Sequence, residues 1–151
     1  GRPPGRKVGV VARRLAAGIS VTSRQAGSGS TPLNTAAVFG NADMAKLLIE
    51  KGADVSIANQ DGNTALHIAS FSAHAELVDL LLEKGASVAA KNGRGETPLD
   101  VVSADWTPQL EGVYKSIGNL IAVELDLARI KQMRPRIAAL LGGPAARTPS
   151  R

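Results

Sequence analysis

Gly62-Asn63-Thr64-Ala65-Leu66-His67-Ile68-Ala69, followed by Leu80-Leu81-Leu82-Glu83-Lys84-Gly85-Ala86, is the stretch on which the reading of this 151-residue chain turns. Its parts recur elsewhere. Gly29-Ser30-Thr31-Pro32-Leu33 lies 33 residues before Gly62-Asn63-Thr64-Ala65-Leu66, and Gly95-Glu96-Thr97-Pro98-Leu99 lies 33 residues after it. At the same offset, Leu47-Leu48-Ile49-Glu50-Lys51-Gly52-Ala53 precedes Leu80 to Ala86, so two whole units repeat without an insertion. A fixed period of this length marks a repeat architecture, in which each supersecondary unit buries its apolar faces against its neighbours.

The physics of one unit is readable from residues 62 to 88. Thr64 is placed to cap a short helix whose apolar side is Leu66, Ile68 and Ala69, and the small Ser70 and Ala73 let a neighbour approach closely. Glu76 to Lys84 predicts a second helix, with Leu77, Val78, Leu80, Leu81 and Leu82 spread over most of its circumference, as burial between flanking units requires. Gly85 ends it, because glycine enters the left-handed conformation at no steric cost. Val55 to Gly62 reads as an extended arm closing in an Asp61-Gly62 hairpin turn.

Thr31-Pro32-Leu33, Thr64-Ala65-Leu66-His67-Ile68-Ala69 and Leu81-Leu82-Glu83-Lys84-Gly85-Ala86 together resemble the signature of the ankyrin-repeat family, in the manner of its short bacterial-type members. The resemblance covers residues 29 to 104 and implies an all-α solenoid: a right-handed stack of helix-turn-helix units with projecting hairpin loops and helical caps. It also implies protein binding along a concave face made of hairpin tips and inner helices. The units it marks out run 29–61 and 62–94, with 95–104 opening a modified third.

Both ends depart from the pattern. Asp100 stands where the middle unit has His67, and Asp105-Trp106-Thr107-Pro108 interrupts the passage to a second helix. Beyond it, Leu110, Val113, Tyr114, Ile117, Leu120 and Ile121 have helical spacing, Asp126 is placed to cap a short helix carrying Leu127, Ile130 and Met133, and Pro135 to open another ended by Gly142-Gly143. Residues 105–142 are therefore expected to complete the third unit and cap the last apolar face, and 143–151 to form a disordered tail. Residues 1–28 are either a basic leader or a degenerate N-terminal cap: Val8, Val11, Ala12 and Leu15 share one side of a helix, with Arg13-Arg14 where later units have paired leucines.

Charge follows the same division. The net charge is +5, yet all thirteen acids fall between Asp43 and Asp126, leaving an acidic middle between Arg-rich ends. Such ends steer a chain toward anionic partners but do not specify nucleic acid. Aromatics make up 3% of the chain, so small aliphatic residues must build the core, and without cysteine there is neither a disulfide nor a thiolate site. No run of about 18 apolar residues predicts a membrane helix. A cytoplasmic, monomeric protein is the expectation, with secretion or a periplasmic place left open.

Catalysis and metal binding find no support in the motifs. His67 and His74 are the two histidines and lack ligand spacing; no nucleophile elbow occurs, Gln25 to Thr31 lacks the Gly-Lys-Ser/Thr ending of a phosphate loop, and Asp100 and Asp105 read as solvated loop acids. No enzyme, cofactor or metal is expected. For protein binding, the residues freed from packing by the implied fold are Gln60, Asp61, Asn63, Phe71 and Ser72 in the middle unit, Val38, Phe39 and Asn41 before it, and Asn92, Arg94, Glu96, Asp105 and Trp106 after it. Trp106 has a second reading, as packing beneath the altered third unit. The alternative function is anion binding, with the Arg-rich termini on nucleic acid or a membrane surface.

Overall fold

The computed structural model describes residues 26–120, 122 and 124–142. The predicted N-terminal helix within 7–17 and the tail at 143–151 lie outside the described residues. Within them the chain forms α1 (Pro32–Phe39), α2 (Ala42–Glu50), α3 (Ala65–Phe71), α4 (Ala75–Glu83), α5 (Pro98–Ser103), α6 (Pro108–Leu120) and α7 (Leu127–Leu140), and no strand. The all-α expectation holds.

Three of these helices begin in the same way, for a reason the repeat makes plain. Thr31, Thr64 and Thr97 each accept a hydrogen bond on the hydroxyl from the main-chain N–H three residues on, at Asn34, His67 and Asp100. Those side chains reach back to the threonine N–H, at 3.3, 3.2 and 3.0 Å. The reciprocal pair satisfies two helix-end donors at once, a cap of the kind that contributes about 1 kcal/mol. Asp100 is thus part of the first turn of α5 rather than a loop acid.

The turn into the second helix places a left-handed residue at equivalent positions, Gly40 with φ 68° and Ala73 with φ 62°. At Gly40 a side chain is also excluded by space, since a Cβ there would stand 2.4 Å from the His74 ring. The inner helices α1, α3 and α5 pack side by side, and the outer helices α2 and α4 pack on each other and on their own inner partners.

The third unit closes differently from the expectation. The helix that packs on α5 and on α4 is α7, so α7 holds in the third unit the place that α2 and α4 hold in the others. Helix α6 is an excursion between them. Nor does Pro135 start a new helix: α7 runs through it. Ile130, Arg134, Ile137 and Leu141 form one buried stripe across the proline, while Pro135 itself lies on the exposed side, where water reaches the carbonyl that loses its donor. Burial along the stripe outweighs the missing hydrogen bond.

Leu33, Leu48, Leu66, Leu77, Leu81 and Ile137 are each at most 2% exposed and form the continuous core of the stack. Leu81 sits fully buried in an outer helix between flanking units. Replacing Leu81 with Ala is expected to cost about 2–5 kcal/mol by leaving a cavity. Urea denaturation monitored by circular dichroism checks it; an unchanged midpoint would contradict the stacked core.

Candidate protein-binding site

The loops joining the units are held as a ladder. In each, an asparagine closes the turn: Asn59 N–H donates to the Asn63 carbonyl and Asn92 N–H to the Glu96 carbonyl, both at 2.9 Å. The same asparagine side chains accept from Asp61 and Asn63 N–H in one loop, and from Arg94 and Glu96 N–H in the next. Successive tips are then tied by Gln60 N–H to the Ser28 carbonyl at 2.9 Å and Gly93 N–H to the Asp61 carbonyl at 2.8 Å. Gly62, at φ 80°, faces this contact so closely that a Cβ would stand 2.6 Å from the Gly93 nitrogen. The hairpins are turns in register, without strands.

Side chains of the helix caps cross to the same carbonyls. Asn34 Nδ2 donates to the Asn63 carbonyl at 3.3 Å, and His67 Nε2 donates to the Glu96 carbonyl at 2.8 Å. Because His67 Nδ1 accepts from Thr64 N–H, the bonds assign the proton to Nε2 and the ring is neutral. Burial holds the His67 pKa below its usual value, against the opposing bond to Glu96. His74, whose Nε2 meets the Val38 carbonyl at 3.3 Å, is lowered first by burial and then by the Arg129 charge.

Helix α6 is fastened to the stack chiefly by Tyr114, with Leu110 also packed against the core. Tyr114, 1% exposed, stacks on Phe71 with ring centroids 4.3 Å apart and on Trp106 at 5.5 Å. Its hydroxyl donates to the Phe71 carbonyl at 2.5 Å and accepts from Arg134 at 3.1 Å, while Arg134 also donates to the Ala104 carbonyl at 2.8 Å. Arg129 donates to the Ala73 and Ser72 carbonyls at the end of α3, and Lys131 Nζ stands 5.9 Å from the centre of the Trp106 ring. Burial raises the Tyr114 pKa, with Arg134 opposing, so the phenol keeps its proton.

A groove of about 490 Å³ opens between α6 and the face built from the inner helices and hairpin tips. Val38, Ile68, Phe71 and Val101 line it on the inner-helix side, and Asp61, Asn63, Asn92, Arg94 and Glu96 on the hairpin side. Leu110, Val113 and Ile117, one turn apart along one side of α6, form the opposite wall. Among the described residues, no group of three or more His, Asp or Glu could hold a metal ion, and no helix is long and apolar enough to cross a membrane.

The family model for ankyrin repeats, in three copies, matches residues 8–92. The chain belongs to the ankyrin-repeat family. An ankyrin repeat-containing protein of Schizosaccharomyces pombe is 38% identical to it over 55 residues, which are 36% of this chain and 26% of that protein. The match therefore spans about a quarter of that relative's length. Ankyrin repeats are protein–protein interaction modules, and the groove lies where two of the repeats here present their helices and loops.

Of the residues expected to meet a partner, Val38, Asp61, Asn63, Phe71, Ser72, Asn92, Arg94 and Glu96 are brought together around the groove. Phe71 is half-buried in the stack and presents only part of its ring there; Trp106 is in the same stack, bonded through Nε1 to Glu111 at 3.4 Å, and does not line the groove. Asn41 caps α2 by accepting from Met44 N–H, and Phe39 (42% exposed), Gln60 and Asp105 lie outside the groove on the surface. The α6 wall was missed in the sequence, although the spacing of Leu110, Val113 and Ile117 pointed to an apolar side.

Two outcomes follow from these contacts. Both histidines are held neutral in the fold and titrate below the ordinary value of 6.5. The unfolded chain then binds more protons in acid, so their contribution is present above about pH 6.5 and is lost as pH falls. Denaturation midpoints compared between neutral and mildly acidic buffer should show this decline, and His67→Gln should reduce its slope. Tyr114→Phe leaves the Phe71 carbonyl and Nη1 of Arg134 without the phenol as partner, while Arg134 keeps its bond to the Ala104 carbonyl, at an expected cost of about 1–3 kcal/mol in urea unfolding.

Proposed function

We propose that the chain holds a protein partner along the concave face of its ankyrin stack, in the groove between the hairpin tips and α6. The observation that carries this reading is the open groove at the junction of two repeats, in a chain of a family whose repeats bind proteins. The loop ladder uses the main-chain groups of the tips and the Asn59 and Asn92 side chains internally, which leaves the charged side chains of Asp61 and Arg94 to meet an occupant. Asp61 and Arg94, at equivalent positions of successive tips, present opposite charges one repeat apart. Charges so placed set the orientation and rate of association more than its strength.

The competing uses of these residues are weaker. His67 is engaged on both ring nitrogens, which supports a structural rather than a catalytic role. For anion binding by the Arg-rich ends, Arg129 and Arg134 would have to abandon bonds to carbonyls and to the Tyr114 hydroxyl.

The test is affinity capture with the intact chain, followed by titration of the captured partner. Arg94→Glu is expected to change the affinity by about tenfold or more, with an unchanged melting temperature, while Arg136→Ala on the exposed side of α7 leaves it as it is. A complex indifferent to Arg94→Glu, abolished by Arg136→Ala and steeply salt-dependent would replace this reading with anion binding.

A further inference from the structure

We infer that the occupant of the groove is an extended peptide segment of the partner, bearing a lysine or arginine next to a large apolar side chain. This rests on the protein-binding reading above and adds what α6 contributes to it. In the stack itself, the inner helices and hairpin tips form an open face that a folded surface can approach. Here α6 stands across that approach, and it is anchored: Tyr114 is stacked on Phe71, bonded to the Phe71 carbonyl and bonded by Arg134. A folded domain laid on this face meets α6 first. The space left, about 490 Å³, falls within the ~300–1,000 Å³ of sites that enclose small ligands. It admits a few side chains on a single extended strand.

The lining gives the chemistry of that strand. On the α6 side it meets Leu110, Val113 and Ile117, and opposite them Ile68 and Val101, so desolvation favours an aliphatic or aromatic side chain between the two walls. Val113 is 47% exposed, an apolar surface that such a side chain would cover. The charged groups around the groove are three carboxylates, Asp61, Glu96 and Asp100, and one guanidinium, Arg94. The Asp100 pKa is lowered by its bonds to Thr97, so this carboxylate is ionised at neutral pH. Glu96 receives Asn92 Nδ2 on Oε1 at 3.1 Å and retains lone pairs for a second donor. An acidic rim beside an apolar slot favours a cation flanking an apolar anchor and disfavours an acidic peptide.

Panning a phage-displayed random peptide library on the intact chain tests the inference, with labelled synthetic copies of the selected peptides then titrated by fluorescence anisotropy. The expected winners carry Lys or Arg within two residues of Leu, Ile or Phe. Val113→Glu, and separately the pair Asp61→Asn with Glu96→Gln, should each weaken them by about tenfold or more without shifting the melting temperature. Acidic or uncharged winners, or winners indifferent to Val113→Glu, overturn the inference. If those peptides still respond to Arg94→Glu, the concave-face reading stands without it; if they respond to neither, both fall. Failure of the library to enrich any peptide, while the immobilised chain retains a folded partner sensitive to Arg94→Glu, likewise overturns the peptide and keeps the face.

Discussion

The third residue of each of the first two inner helices joins its repeat to the next, and the register of the stack depends on that link. At this position His67 takes Thr64 N–H on one nitrogen and gives the other to the Glu96 carbonyl, while Asn34 makes the same pair of bonds toward Thr31 and Asn63. One side chain thus caps its own helix and pins the following hairpin, so local helix formation and stacking become a single cooperative event. Asp100 performs the first task only. A carboxylate accepts and cannot donate, and so the series of cross-repeat bonds ends where the repeats end.

Past that point the chain replaces the repetitive bond with a set of unlike ones. Arg129 and Arg134 bring α7 onto the C-terminal ends of α3 and α5, satisfying carbonyls that a following repeat would otherwise cover. Tyr114 gathers Phe71, Trp106 and Arg134 into one assembly. A buried guanidinium is costly unless its donors are met, and here its partners are a carbonyl and a phenol that also need partners. The exchange closes the stack and sets the position of α6 together.

The repeat was legible because its determinants are local and periodic. Threonine caps, the glycine at the helix end and the leucines of α4 act within one unit, and their recurrence every 33 residues reports the fold directly. The hairpin positions that line the groove were legible for the same reason, since Asp61, Asn63, Arg94 and Glu96 follow from the register alone. What was hidden is long-range. The apolar side of α6 showed in its spacing, but spacing says which side is apolar and leaves open what it packs against; it read as a cover for the end of the stack and instead forms a groove wall. Pro135 read as a start signal because local backbone chemistry favours it there, and the buried stripe from Ile130 to Leu141 overrode that preference. Arg134 counted as one more charge of a basic end until its partner, twenty residues back, was in view.

That α6 leaves the stack after α5 and returns at α7 separates two jobs that repeat proteins usually lodge in the same residues. The stack answers to α5 and α7, and of the apolar wall of α6 only Leu110 packs against the core. Lengthening such an excursion adds only about 0.6 kcal/mol of closure entropy for each doubling. Val113 and Ile117 are therefore free to vary as a replaceable part, with Tyr114 and the core-packed Leu110 as the fittings that any substitute must keep. The shape of the groove can drift in this protein while its scaffold stays as it is.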